Sequence, residues 1–68
     1  MINVALLGFG RIGQMHAQNI YLNKTLNLLY VYEKIDKLRK KAKNLYNCKI
    51  EKNYKKIFSD KRLSLIHI

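Results

Sequence analysis

The chain has no proline and no tryptophan, one cysteine, three glycines and only four acidic residues among 68. With a single thiol, Cys48, no disulfide can staple a small fold, and no Cys/His cluster of the kind that holds a structural metal is spelled out. A chain of this length makes at most one small domain and buries only roughly 60% of its unfolded surface. No apolar run approaches the roughly 18 residues that a membrane span requires. The N-terminus, Met1-Ile2-Asn3, lacks a basic stretch and runs straight into a strand-like segment, so no signal peptide is expected. A lone thiol fits a reducing compartment, and the expected setting is soluble and cytoplasmic.

Scarce acid against fourteen Lys and Arg leaves a formal net charge of +10. Nine of those cations fall between Lys37 and Lys56, which raises the question of a nucleic-acid face. Composition offers a plainer account, because the abundant Lys, Asn, Ile and Tyr all have A/T-rich codons. On that account nucleic acid is not an expected partner, and without a spanning apolar run neither is a membrane. Positive potential would also suit a phosphate-bearing ligand.

The informative stretch is Asn3-Val4-Ala5-Leu6-Leu7-Gly8-Phe9-Gly10-Arg11-Ile12-Gly13. An apolar run over 2–7 predicts a strand buried on both faces. It enters Gly-x-Gly-x-x-Gly, and a helical pattern follows to about Leu22, with Ile12, His16 and Ile20 at four-residue spacing and Met15 and Ala17 beside them. Leu26 to Tyr32 predicts a second strand, closed by Glu33 about 20 residues beyond the third glycine. Asp36 is the expected N-cap of a second helix, with Leu38, Ala42 and Leu45 on its apolar face and Asn47 as a left-handed stop. Cys48 to Ile50 reads as a short extended piece. Asn53 caps a short helix through Phe58 that buries Tyr54, Ile57 and Phe58, and a third strand begins at Leu63 and runs to Ile68.

The order is β-α-β-α-(short helix)-β, which implies an α/β fold with a parallel sheet, the N-terminal part of a doubly wound Rossmann domain. The glycines then have separate tasks. Gly8 permits the tight turn, Gly10 lets the main chain approach a pyrophosphate, and Gly13 lets the helix pack on the strand. Around Arg11 and Ile12, N–H groups without intrahelical partners face the anion. Glu33 would accept from the ribose hydroxyls and repel a 2′-phosphate, favouring NAD. Lys34 beside it leaves NADP open. The expected cofactor-binding set is Gly8, Phe9, Gly10, Arg11, Ile12, Gly13, Glu33 and Lys34, with no catalytic or metal-binding residue. His16 is expected to pack or face solvent, and Cys48 to be a buried filler.

Gly8 to Gly13 alone also resembles the cofactor loops of glyceraldehyde-3-phosphate dehydrogenase and of 2-hydroxyacid dehydrogenases. The continuation Gly10-Arg11-Ile12-Gly13-Gln14-Met15-His16-Ala17-Gln18-Asn19-Ile20 resembles the N-terminus of the Gfo/Idh/MocA oxidoreductases, the family of inositol 2-dehydrogenase. Glu33, the Lys-rich second helix, Asn53-Tyr54-Lys55-Lys56-Ile57-Phe58, Asp60 and the strand from Leu63 follow the family's order. The family more often has Asp at the position of Glu33, commonly followed within a few residues by proline, which this chain lacks. The resemblance implies hydride transfer between NAD(P) and a hydroxyl of a sugar- or cyclitol-type small molecule, by a homo-oligomeric enzyme. It also implies that residues 1–68 form a partial NAD(P)-binding domain. The family's catalytic Glu-Lys-Pro segment and its C-terminal substrate domain would lie beyond Ile68, so the chain alone is expected to be inactive. A non-catalytic dinucleotide-binding regulatory module and a small basic nucleic-acid binder stand as alternatives.

Overall fold

The computed structural model describes residues 1–67. Strand and helix alternate along them: β1 (Ile2–Leu7), α1 (Arg11–Leu22), β2 (Leu26–Tyr32), α2 (Asp36–Tyr46), β3 (Lys49–Glu51), α3 (Tyr54–Phe58) and β4 (Leu65–His67). The strands make one sheet in the order β3-β2-β1-β4, and every pairing is parallel. This is the α/β order read from the sequence with one addition. The extended piece after Cys48 is an edge strand, pairing Lys49 with Tyr30 and Glu51 with Tyr32. The expected last residue of the final strand, Ile68, lies outside the described residues.

β1 is apolar throughout its middle because it lies between two strands and under helices on both faces. Val4 and Leu6 point into one layer with Phe9, with Ala17 and Ile20 of α1, and with Ala42 of α2. Ala5 joins Tyr30 and Ile57 of α3 in the other layer, with Leu7 and Leu63 against them. β2 departs from strict alternation. Its pairing steps from Val4–Leu28 to Ala5–Tyr30, so Leu29 is an extra residue. That bulge turns Leu28 and Val31 into the α1/α2 layer while Tyr30 and Tyr32 face α3.

The helices correct the expected faces. On α1, Ile12 and Met15 are exposed, and the docked side is Gly13, Ala17 and Ile20. Small residues win here because they let the helix axis approach the strand more closely than Ile12 would. On α2, Leu45 is exposed, and Tyr46 packs against the core beside Leu38 and Ala42. Asp36 is not the N-cap. Ile35 holds that position without a side-chain cap, and Asp36 is the first helical residue. Its carboxylate is committed one turn onward, to Lys40 at 3.2 Å and Arg39 at 2.8 Å, which hold its pKa below the ordinary value. Asn47 ends the helix at φ 51°, its N–H bonded to the Lys43 carbonyl at 2.8 Å, as expected. Asn53 caps α3 through Lys55 N–H, also as expected. Of Tyr54, Ile57 and Phe58, only Ile57 is buried, since a five-residue helix has one narrow face to offer the sheet.

A polar clasp ties the loop after α3 to β2. The Tyr30 hydroxyl donates to Asp60 Oδ2 at 2.6 Å, and the Arg62 guanidinium grips both oxygens of the same carboxylate at 2.7 and 3.0 Å. The Arg62 and Tyr30 donors hold the Asp60 carboxyl far below the usual carboxylate range, and the Asp60 bond raises Tyr30. Cys48 is buried, and desolvation pushes its thiol up, so it is the unreactive kind of cysteine. Among the described residues no three His, Cys, Asp or Glu side chains are grouped to hold a metal ion, and no helix is long and apolar enough to cross a membrane.

Candidate dinucleotide site at the carboxyl end of the central strand

Chain order reverses between β1 and β4: the chain goes from β1 outward to β2 and β3, then returns to the far side of β1. In open α/β sheets the crevice beyond the strands' carboxyl ends at such a reversal is where ligands bind. Here that place is a cleft of about 400 Å³ lined by Leu6, Leu7, Gly8, Gly10, Arg11, Ile12, Gly13 and His16. Five of the eight expected site residues line it. His16, read from the sequence as a packing or surface residue, joins them because it lies one helical turn beyond Ile12.

The three glycines answer to three different constraints. Gly8 has φ +105°, where a side chain is strained, and its N–H bonds to the Tyr32 carbonyl at 2.8 Å as the chain leaves β1. Gly13 has ordinary angles, but a Cβ there would lie 2.9 Å from the Gly8 carbonyl carbon and closer still to its oxygen. Gly10 is different. Its φ of −74° suits any residue, and a Cβ added to it would meet no protein atom within 4 Å. The fold itself makes no demand for glycine at that position.

Gly10 is also the N-cap of α1, and it brings no capping side chain. The helical ladder starts with Gln14 N–H on the Gly10 carbonyl at 2.8 Å. The N–H groups of Arg11, Ile12 and Gly13 precede the ladder and, with the positive end of the helix dipole, suit an anion. Phe9 plays a different part from its neighbours. Its ring is wholly buried, edge-on to Tyr46, and anchors the turn in the core. Burial of a ring of this size contributes about 1.5–3 kcal/mol.

Glu33 stands across from the turn at the end of β2. Its Oε1 accepts the Phe9 N–H at 2.7 Å and its Oε2 accepts the Ile35 N–H at 3.1 Å. Each oxygen has two lone pairs, so each can accept from one further donor. The register that pairs Leu7 with Tyr32 brings the glycine turn beside Glu33. Lys34 is exposed, and its carbonyl, like that of Glu33, accepts from Arg39 Nη1, at 2.8 and 2.9 Å. Arg39 was indistinguishable in the sequence from the other cations of its helix. The donor set as a whole fits a dinucleotide: an open main-chain approach at Gly10, N–H groups ahead of the helical ladder beside it, and a carboxylate fixed on the Phe9 N–H of the same turn.

No protein-family model matches the chain, and no curated protein matches it in sequence. Solved structures do match. A myo-inositol dehydrogenase from Corynebacterium glutamicum superimposes with a TM-score of 0.88 at 24% identity, over 97% of this chain and 20% of its own. A myo-inositol 2-dehydrogenase from Lactobacillus plantarum does so with a TM-score of 0.87 at 22% identity, over 96% of this chain and 20% of its own. GenD2 from gentamicin A biosynthesis, solved in complex with NAD, gives 0.89 at 15% identity, over 96% of this chain and 19% of its own. The chain thus spans about a fifth of the length of these proteins. With an all-parallel sheet and alternating helices superimposing over nearly all its residues, the chain has the fold of a Rossmann-like N-terminal segment.

Proposed function

We propose that the chain is the opening part of the dinucleotide-binding domain of a Gfo/Idh/MocA-type oxidoreductase. Gly10 carries the reading. Neither its backbone angles nor any neighbouring protein atom requires glycine, so the missing side chain serves something that approaches from outside. A pyrophosphate on the N–H groups of Arg11 and Ile12 is the ligand that such an approach serves, with the adenosine ribose on Glu33. NAD is the favoured cofactor because the Glu33 charge opposes a 2′-phosphate. The nicotinamide ring, when bound, accepts or gives a hydride. The residues here hold and orient the other end of the cofactor. Two of the structural neighbours act on myo-inositol by name, which supports a cyclitol- or sugar-type hydroxyl as the reacting group in the whole protein.

The test is titration of the complete protein with NADH, before and after Gly10→Val. Because a Cβ at this position meets no protein atom within 4 Å, the melting temperature should fall little while NADH affinity falls on the order of 100-fold, as obstruction of a bound geometry does. Unchanged NADH affinity in a folded Gly10→Val protein would remove the pyrophosphate assignment.

A further inference from the structure

Arg39 sits in the first turn of α2, where a cation is unfavourable against the helix dipole. Its side chain runs back toward the helix start, as helical side chains do, and is only 14% exposed. Nη1 donates to the Glu33 carbonyl at 2.9 Å and the Lys34 carbonyl at 2.8 Å, and Nη2 to Asp36 Oδ1 at 2.8 Å. The pair with Asp36 supports the helix only weakly and the dipole at this end opposes the charge, so helix stability alone does not account for this placement. What the guanidinium does is tie Glu33 and Lys34 of the β2–α2 turn to Asp36 at the start of α2. Glu33 is in turn held at both carboxylate oxygens by main-chain N–H groups, one on the glycine turn and one on Ile35.

We infer that Arg39 is a positioning residue for the adenosine end of the site: it fixes the turn that carries Glu33, and thereby sets the preference between dinucleotides with and without a 2′-phosphate. The inference rests on the dinucleotide reading above and deepens it. Two consequences follow from the geometry. The Glu33 carboxylate is held in place before any ribose arrives, so little ordering is lost on binding. Arg39 itself, occupied by two carbonyls and a carboxylate and nearly buried, is withheld from a 2′-phosphate, although a free arginine near this position would attract one. The same residue therefore strengthens the preference for NAD in two ways, by what it holds and by where it is kept. Lysine would serve less well. A single ammonium reaches the carbonyls as a point charge and cannot reproduce the planar fork that spans them and Asp36.

The complete protein is titrated with NADH and NADPH as the unsubstituted form, Arg39→Met, Arg39→Lys, Glu33→Ala and the Glu33→Ala/Arg39→Met pair. Hydrogen exchange at the Phe9 and Ile35 amides is followed in parallel without ligand. Arg39→Met should weaken NADH by about tenfold, the scale of coupling through a positioning contact, and lower the NADH-to-NADPH affinity ratio toward that of Glu33→Ala. Arg39→Lys should fall between. In the Glu33→Ala background, removing Arg39 should change the ratio by less than about twofold, because the group it positions is gone. Protection of the Phe9 amide should drop in Arg39→Met. A purely structural arginine would weaken both dinucleotides alike, and an unchanged ratio would overturn the inference while leaving the dinucleotide reading intact. A larger loss for NADPH than for NADH would overturn it too, since Arg39 would then be a phosphate ligand. If the unsubstituted protein binds neither dinucleotide, the dinucleotide reading itself fails and takes this inference with it. Should Arg39→Met unfold, the folded Arg39→Lys protein carries the same ratio comparison.

Discussion

A glycine can be required by its own backbone, as Gly8 is, or by the atoms packed around it, as Gly13 is; Gly10, between them, is required by neither. Alanine scanning should rank them by stability alone. Gly13→Ala forces a Cβ into the Gly8 carbonyl, a backbone group that cannot turn aside, so α1 must lift from β1. It should be the costliest, at roughly 3 kcal/mol or more, as overpacking against backbone is. Gly8→Ala places a side chain at φ +105° and should cost about 1–3 kcal/mol. Gly10→Ala should be close to neutral, since a gain of about 0.4–1 kcal/mol through the unfolded chain is offset by the preference for glycine over alanine at an N-cap. Urea midpoints of the three variants check the order, and a Gly10→Ala as damaging as Gly13→Ala would sink the argument. The tasks of Gly8 and Gly13 were legible because a strand, a glycine spacing and a helix are all local in sequence. That Glu33 holds the Phe9 N–H was not. It depends on the register of β1 with β2, which joins residues 24 apart in the chain. Arg39 was hidden for a different reason, since among so many cations nothing local says which side chain turns back under its own helix.

Elements obey the sequence less closely than single residues do, and the loop between α3 and β4 shows where stability collects outside local patterns. Asp60 is the centre of the Tyr30–Asp60–Arg62 clasp that fastens this loop to β2. Because its pKa is lowered on folding, the stability it adds is present above the unfolded-state value and lost as pH falls through the lower folded one. Tyr30 shifts the other way, so its share is present below its ordinary pKa of about 10 and lost as pH rises past it. Asp60→Asn should therefore destabilise across neutral pH, and its deficit against the unsubstituted protein should shrink only below about pH 4. Melts at pH 7, 4 and 2.5 measure the deficit; one that is constant with pH would show that charge on Asp60 is irrelevant to the clasp. The strands and helices themselves were readable from apolar runs and four-residue spacing. Their facing was not. Close packing of α1 on β1 selected Gly13 and Ala17 over the larger Ile12 and Met15, and the bulge at Leu29 reset the inward face of β2. Both effects come from neighbours across the sheet, which periodicity along one segment does not record.

At the scale of the whole molecule, the charge imbalance is the property that no single contact resolves. Fourteen basic residues face four acidic ones, and the acids are largely committed: Asp36 to Arg39 and Lys40, Asp60 to Arg62, and Glu33 to main-chain N–H groups. The remaining cations share a body only 28 × 25 × 19 Å across. At 10 mM salt the Debye length is about 30 Å, longer than the molecule, so every lysine repels every other; at 0.15 M it is about 8 Å and only neighbours interact. Unfolding relieves that repulsion, so the folded state should gain from screening. The melting temperature should rise steadily from 10 mM to 150 mM sodium chloride and then level off, at protein concentrations low enough that the open β3 and β4 edges do not associate. Pyrophosphate at matched ionic strength separates the general effect from the site. A gain beyond that of chloride, abolished by Gly10→Val, would be occupancy of the α1 N-terminus, whereas an equal gain from both salts would be screening alone. A melting temperature flat in salt would mean that the lysines are spaced widely enough for repulsion to be negligible even at low salt, and the charge would then place no constraint on the fold.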